Sequence, residues 1–466
     1  MLDLQLSKND DRPFYLQIAE ALRYLIVNGT LRSGEKLPAV RKLANQLGIN
    51  PATVVAAYRI LNKEGLISQK HGSGAYITPH TSIIEHKGNE FAPTGERNGC
   101  DGVVDFASNV PPGHLFPIAS IKKIINEILD ESGADVFQYQ DPEGFEPLRS
   151  IWADEFSKTW SHPVSLSNIS VVSGAQQGID LAVRLLIKRG DSVLVESPGY
   201  RGARDVLLAN GASIIPVLVE PDGVALNCVE KICKQRNVRA VYINPVLHNP
   251  TTAVWSDSKR AKLIELSRKH DFYIIEDDQF SDLLEKPVLP VAALDTDRVI
   301  YIKSYSKVLF PGLRVASLYV PKHFFERLVA MKRTADIASN GLMQRVLHRL
   351  IVSAEYKKHT ATSRKYYSMI LNKFNSFINE NASLKLVWNM PPGGFNAWIK
   401  LPDTVTATAF AQSTAAQGLL ISPEKMFRNE GKIISDSHVR LSIGSVDEAT
   451  YHKGIACFER CLKDLL

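Results

Sequence analysis

LPAVRKLANQLGINPATVVAAYRILNKEGLISQKHGSGAYI, Leu37 to Ile77, carries two short helices, a turn and a hairpin in one continuous run. Leu37-Pro38-Ala39 opens a helix from Val40 to Leu47, which Gly48 closes. After the Gly48-Ile49-Asn50 turn a further helix runs from Pro51 to about Glu64, with Asn50 a natural N-cap and Pro51 suited to the first helical position. Gly65–Lys70, His71-Gly72-Ser73-Gly74 and Ala75–Ile77 then read as strand, glycine turn and strand. Upstream, Pro13 to Asn28 places Leu16, Ala19, Ala21, Leu22, Leu25 and Ile26 at helical spacing, with Gly29 beyond its end. Two helices across a turn of about four residues form a helix-turn-helix, and a basic hairpin directly after the second is a wing.

That order assigns contacts. The first turn of the third helix (Asn50, Ala52, Thr53) faces base edges in a major groove. Arg41 and the wing's Lys70 and His71, with Gly72 at its tip, suit the phosphate backbone. Residues 1–78 hold ten Lys/Arg against six Asp/Glu, a net of +4 within a chain total of +6. Such an excess fits a polyanion partner, although a solvated basic face gives the same count. Over roughly residues 10–78 the sequence resembles the GntR family of winged-helix regulators, which implies a double-stranded DNA partner. Many members of that family have a basic residue near the position of Pro51; its absence shifts the expected base readout toward Asn50, Thr53 and the wing.

At 466 residues the chain is too long for one core, and its 45% apolar and 22% charged content is ordinary for a globular protein. No apolar run reaches the length of about 20 residues that a membrane span needs, and the N-terminus lacks a signal pattern. Five scattered cysteines (Cys100, Cys228, Cys233, Cys457, Cys461) have no metal-site spacing, so no metal and a reduced, cytoplasmic setting are expected. Residues 79–102 lack any period and read as a linker between a head (1–78) and a body (103–466). In the body, Ile169–Val172, Ser192–Val195, Ala240–Ile243, Phe272–Ile275 and Val299–Ile302 alternate with helices or turns. They predict an α/β fold with a mostly parallel sheet over 103–320, followed by a helical segment and a smaller α+β part over 321–466.

In such sheets ligands gather beyond the carboxyl ends of the strands. The first strand ends in Ser173-Gly174-Ala175-Gln176-Gln177-Gly178 before the helix Ile179–Arg189, a potential anion site or simply a packed cap. The second ends near Tyr200, a stacking aromatic or a core tyrosine. The third leads to Asn249, a turn former or a donor to a phenolic oxygen. The fourth ends in Glu276-Asp277-Asp278, where a buried carboxylate can keep a pyridinium protonated. The fifth runs through Ser304, Ser306, Lys307 and Arg314: an amine able to bond an aldehyde, beside hydroxyls and a guanidinium able to hold a phosphate. Taken in order, these are what pyridoxal 5'-phosphate asks of a protein.

The body resembles the fold-type-I aminotransferases, also through Tyr139, Asp141-Pro142-Glu143-Gly144, Leu148-Arg149 and the segment around Arg440. That resemblance implies Lys307 as the catalytic lysine bonded to the cofactor, Asp277 as partner of its ring nitrogen, Asn249 at the ring oxygen and Tyr200 stacked on the ring. It implies Ala175, Gln176, Ser304, Ser306 and Arg314 around the phosphate, Tyr139 reaching a neighbouring subunit's cofactor, and Arg440 holding an amino acid's carboxylate. Gln279 stands where those enzymes usually have a tyrosine donating to the ring oxygen; an amide donates but does not ionise. Head plus body is the architecture of the MocR regulators. The resemblance implies a head-to-tail homodimer on paired DNA half-sites, whose body senses pyridoxal phosphate or an amino compound. An active aminotransferase is the alternative, and a DNA-binding protein with an inert pocket a third.

Overall fold

The computed structural model describes residues 13–27, 31, 34–63, 66–70, 74–78, 102–428 and 436–466. They fall into two compact units, one within residues 1–90 and one within 91–466. In the head, α1 (Phe14–Val27), α2 (Val40–Leu47) and α3 (Pro51–Lys63) precede an antiparallel hairpin of β1 (Ile67–Lys70) and β2 (Gly74–Ile77). Helical spacing puts Ile18, Ala19, Leu22 and Ile26 of α1 on one buried face, against Leu43 and Ala44 of α2 and Val54, Ala57, Tyr58 and Leu61 of α3. Each fully buried leucine among them contributes about 1.5–3 kcal/mol. Gly48, at φ +66°, turns the chain sharply out of α2, so that its N–H meets α2 carbonyls and the next helix starts three residues later, at Pro51. The expected linker lies outside the described residues, apart from Gly102.

In the body, β3 (Val104–Asp105) is followed by the strands of an eight-stranded sheet: β4 (Ile169–Val172), β5 (Ser192–Ser197), β6 (Ser213–Glu220), β7 (Gly223–Val224), β8 (Val238–Ile243), β9 (Tyr273–Asp278), β10 (Val299–Ser304) and β11 (Ala316–Tyr319). Their order is β4-β11-β10-β9-β8-β5-β6-β7, and the run β10-β9-β8-β5-β6 is parallel throughout. Short β11 is antiparallel to both β10 and β4. Burial on both faces explains the almost uninterrupted apolar character of the central strands. Helices α4 (Ile118–Ser132), α5 (Glu146–Trp160), α6 (Ala175–Leu186), α7 (Arg201–Ala209), α8 (Leu226–Gln235) and α9 (Asp257–His270) supply the flanking layers. One face packs Ile274, Val299 and Tyr301 against Trp152 and Phe156 of α5; the other packs Ile275, Ile300 and Ile302 against Ile179 and Leu186 of α6.

The helical run expected after Pro321 is three helices, α10 (Phe325–Asp336), α11 (Gly341–Val352) and α12 (Glu355–Glu380). The C-terminal part adds β12 (Val387–Trp388), β13 (Ala397–Lys400), α13 (Ala407–Ala416), β14 (Leu419–Leu420), β15 (Ser422–Pro423), β16 (His438–Leu441) and α14 (Glu448–Lys463). A second, antiparallel sheet runs β12-β13-β16-β15. β14 pairs with β3, and Phe106 is buried in the same core, so the first strand of the body packs with its last part. Cys457 and Cys461 are buried in α14 with sulfurs 3.9 Å apart, packing within that core.

Candidate functional site

Sheet order reverses between β5 and β8, because β6 lies on one side of β5 and β8 on the other. The crevice beyond the carboxyl ends there is where a doubly wound sheet binds its ligand, and the expected residues converge on it. Strand alternation sorts them. Along β9, Asp277 turns to one face and meets the Tyr242 hydroxyl of β8, while Glu276 and Asp278 turn to the other. The three acids lie within the strand, which extends to Asp278 and not only to Ile275 as its apolar run suggested.

Asp277 is fully buried. Its Oδ2 accepts from Tyr242 at 2.7 Å and from the Gln279 amide at 2.8 Å, while Oδ1 has no hydrogen-bond partner. Burial pushes this carboxyl up to about 6, against the lowering effect of its two donors. Lys307, half-buried, donates to the backbone carbonyl of Asn109. Burial pushes its amine down to about 8, and the Arg440 and Arg314 guanidiniums add to that, with Asp277 opposing.

Arg440, on β16, is buried and donates to Asn249 Oδ1 at 2.8 Å, to Ser422 Oγ at 3.3 Å and to the carbonyl of Ala107. Its Nε has no partner, and burial lowers its pKa to about 10. With Oδ1 held by Arg440, the side-chain amino group of Asn249 remains to donate. Asn249 is itself fixed through its backbone N–H by Asn244, whose amide nitrogen donates to the Asp277 carbonyl at 2.6 Å.

Helix α6 begins at Ala175, four residues earlier than its periodicity suggested, so Ala175 and Gln176 form its first turn. Gly174 caps it at φ +86°, and a Cβ there would lie 2.8 Å from the Arg314 guanidinium. Arg314 reaches this terminus and donates to the Ser173 carbonyl at 2.6 Å. Ser304 Oγ accepts from the Ser306 N–H at 3.4 Å, and Ser306 Oγ has no partner. A helix N-terminus, a guanidinium and two hydroxyls make an anion cup. The Gln176 side chain is spent elsewhere: it accepts from the Tyr200 hydroxyl at 3.0 Å and donates to the Gly202 carbonyl at 3.0 Å, leaving its backbone to the cup. Burial, with Asp277 adding, pushes the Tyr200 phenol up to about 12.

Gln279 donates through its amide to the Asp277 carboxylate two residues back. Tyr139 is 85% exposed on the surface of the chain. Tyr242, Asn244 and Asn109 escaped the sequence reading. Tyr242 had a signal, being the one hydroxyl in the apolar, buried end of its strand, where it needs a partner. In the head, Asn50 Oδ1 accepts from the Ala52 N–H at 2.9 Å, so the expected base reader also caps α3. Arg41, Asn50 and Ala52 are exposed and Thr53 half-exposed; for Lys70 only the backbone is described, and His71 and Gly72 lie outside the described residues.

The residues fit pyridoxal phosphate: a buried, unpartnered carboxylate oxygen for a ring nitrogen, an amine with lowered pKa for an aldehyde, and a cup for a phosphate. A winged-helix head and a fold-type-I aminotransferase body define the class. Residues 101–457 match the aminotransferase class I and II model and residues 14–77 that of the bacterial regulatory proteins, gntR family. The chain belongs to the aminotransferase class I and II family and, with its gntR-type head, has the composition of the MocR subfamily.

Among relatives, the uncharacterized HTH-type transcriptional regulator YdfD of Bacillus subtilis is 28% identical, over 95% of this chain and 96% of that protein. The probable rhizopine catabolism regulatory protein MocR of Rhizobium meliloti is 26% identical, over 90% and 88%. The structure of LysN, an α-aminoadipate aminotransferase from Thermus thermophilus complexed with N-(5'-phosphopyridoxyl)-L-leucine, superposes with a TM-score of 0.72. It is 26% identical, covering 78% of this chain and 93% of that one.

Proposed function

We propose that this chain is a cytoplasmic transcription regulator that holds pyridoxal phosphate in its body, senses an amino compound or the cofactor itself there, and reports through its head to operator DNA. The observation that carries the reading is that one chain joins a gntR-type head to a body with the complete lysine, acid and anion-cup set. Bound, the cofactor supplies an aldehyde that captures amines and an electron-withdrawing ring.

The chain's own groups set the rest. Asp277 holds the ring-nitrogen proton through Oδ1, because Tyr242 and Gln279 already occupy Oδ2. Lys307, its pKa lowered to about 8, keeps a larger neutral fraction near neutral pH than an ordinary lysine does, although the cation still dominates there. Asn249 orients Arg440, whose guanidinium receives an effector's carboxylate. Gly174, Ala175, Gln176, Ser304, Ser306 and Arg314 surround the phosphate. We assign Arg41, Asn50, Ala52, Thr53, Lys70, His71 and Gly72 to DNA, Asn50 combining capping with base contact. A head-to-tail homodimer on two half-sites places exposed Tyr139 at a neighbour's cofactor.

Gel-shift titration of promoter DNA with holo-protein, cofactor-free protein and a panel of amino acids tests this. A change of operator affinity with cofactor or with one amino compound is expected; identical affinity under every condition refutes sensing. A second reading, a working aminotransferase, draws on the intact Lys307, Asp277 and Arg440; sustained turnover of an amino donor and a keto acid establishes it.

A further inference from the structure

Helix α3 of the head has two unlike faces. Val54, Ala57, Tyr58 and Leu61, at helical spacing, are buried in the head's core. Ala52, Val55, Ala56 and Arg59 share that spacing and line the opposite face. Ala52 and Arg59 are exposed, Ala56 is half-buried, and Val55 is 41% exposed. Thr53, half-buried, stands at the edge of this face. Over its first two turns the outward face of α3 therefore carries methyl groups, and its first polar side chain is Arg59.

Stability does not account for Val55. A β-branched residue is among the poorer helix formers, and an exposed one buries little apolar area. Single exposed aliphatics are common on protein surfaces. This one, however, lies beside two alanines on the helix that a helix-turn-helix head lays in a major groove. Polar readout from the start of α3 is limited. Asn50 Oδ1 is taken by the Ala52 N–H at 2.9 Å, which leaves its amide nitrogen and the Thr53 hydroxyl. Arg41 and Lys42 on α2 and Arg59 on α3 are exposed, and none has an ion-pair partner among the described residues. These free cations draw a polyanion toward the helix. An aliphatic face pressed into its major groove then meets one apolar feature on the base edges, the C5-methyl group of thymine.

We propose that the head reads thymine methyl groups through Ala52 and Val55 on the outward face of α3, so that its half-sites carry thymine at the contacted positions. The inference rests on the regulator reading and adds the base that the head selects. Arg59, one turn beyond Val55, suits a phosphate and so contributes affinity without sequence information.

The test uses full-length holo-protein to enrich bound duplexes from a randomised pool. The enriched duplex is then remade with single thymine-to-uracil replacements, each of which removes only the methyl group. Gel-shift titration at fixed salt is expected to show one or two positions in each half-site where uracil weakens binding by about fourfold, the worth of one buried methyl. Val55→Ala substitutes a better helix former at an exposed position and so keeps the fold. It is expected to erase the uracil penalty at one of those positions. Arg59→Ala should weaken thymine and uracil duplexes alike, and lower the slope of log affinity against log salt by about one. A uracil series with no penalty anywhere, or a penalty that Val55→Ala leaves intact at every position, overturns the proposal. A pool that yields no enriched duplex overturns the regulator reading together with this one, so the two failures are distinguishable.

Discussion

At the scale of single residues, the crevice above the sheet is governed by how each charge changes its neighbour's proton affinity. Lys307 in the folded chain sits near 8, below the ordinary 10.5, because burial and two guanidiniums disfavour its cation. The sign follows: below about pH 8 the amine is protonated and slow toward an aldehyde, and above it the neutral amine dominates. Capture of added pyridoxal phosphate by cofactor-free protein is therefore expected to accelerate through about pH 8 and level off. Arg440→Met removes a cation that lowers this pKa, so the midpoint should move upward; stopped-flow absorbance against pH checks both, and an unmoved midpoint contradicts the electrostatic account. Tyr242 is the second case. Its hydroxyl is one of two donors on Asp277 Oδ2, and a hydrogen bond to a charged acceptor is worth about 1.5–3 kcal/mol. Tyr242→Phe raises the carboxyl's proton affinity and weakens its hold on a pyridinium. Cofactor affinity is expected to fall about tenfold, beyond the thermal stability that the missing hydrogen bond costs the cofactor-free form; unaltered affinity means the tyrosine only fills space.

At the scale of elements, the start of α6 is the most exacting piece. Gly174→Ala puts a methyl group on a left-handed backbone and against the Arg314 guanidinium, so cup and helix terminus both shift. We expect at least a tenfold loss of cofactor affinity, measured by equilibrium dialysis, and a smaller loss of inorganic phosphate binding in the same variant. Elements also show where sequence patterning suffices. The head was legible almost to the residue, since α2 and α3 are delimited by Gly48, Asn50 and Pro51, which act locally. The central strands were legible because burial on both faces makes them continuously apolar, but their polar ends were not. Glu276, Asp277, Asp278, Lys303 and Ser304 continue their strands because the neighbouring ladders continue, a non-local cause that patterning does not carry. Strand β6, next to the sheet edge, was missed for a related reason: Pro216 interrupts it, tolerable because only the short β7 flanks its outer side, at Val219 and Glu220. The side-chain order at the strand ends pointed to the residues that converge on the crevice. It did not reveal that Gln279 would turn to Asp277, a choice made by rotamer and neighbour.

At the scale of the whole molecule, the proposed regulator makes sensing and DNA binding two ends of one equilibrium. An effector alters operator affinity only by binding two states of the protein unequally. If it changes that affinity by some factor, operator DNA must change the effector's affinity by the same factor. A typical coupling of about 1–3 kcal/mol corresponds to roughly 5–150-fold. The chain offers an optical handle on the far end, since Lys307 and its cofactor should report amine binding by absorbance. Spectral titration of holo-protein with the active amino compound is therefore expected to give one dissociation constant without DNA and another with saturating operator. Their ratio should equal the shift seen by gel retardation. Non-operator DNA of equal length is expected to leave the constant unchanged, because contacts to phosphates alone position a protein without selecting a sequence. Equal constants with and without operator, alongside an effector-dependent gel shift, would break the linkage and place the effect outside this protein.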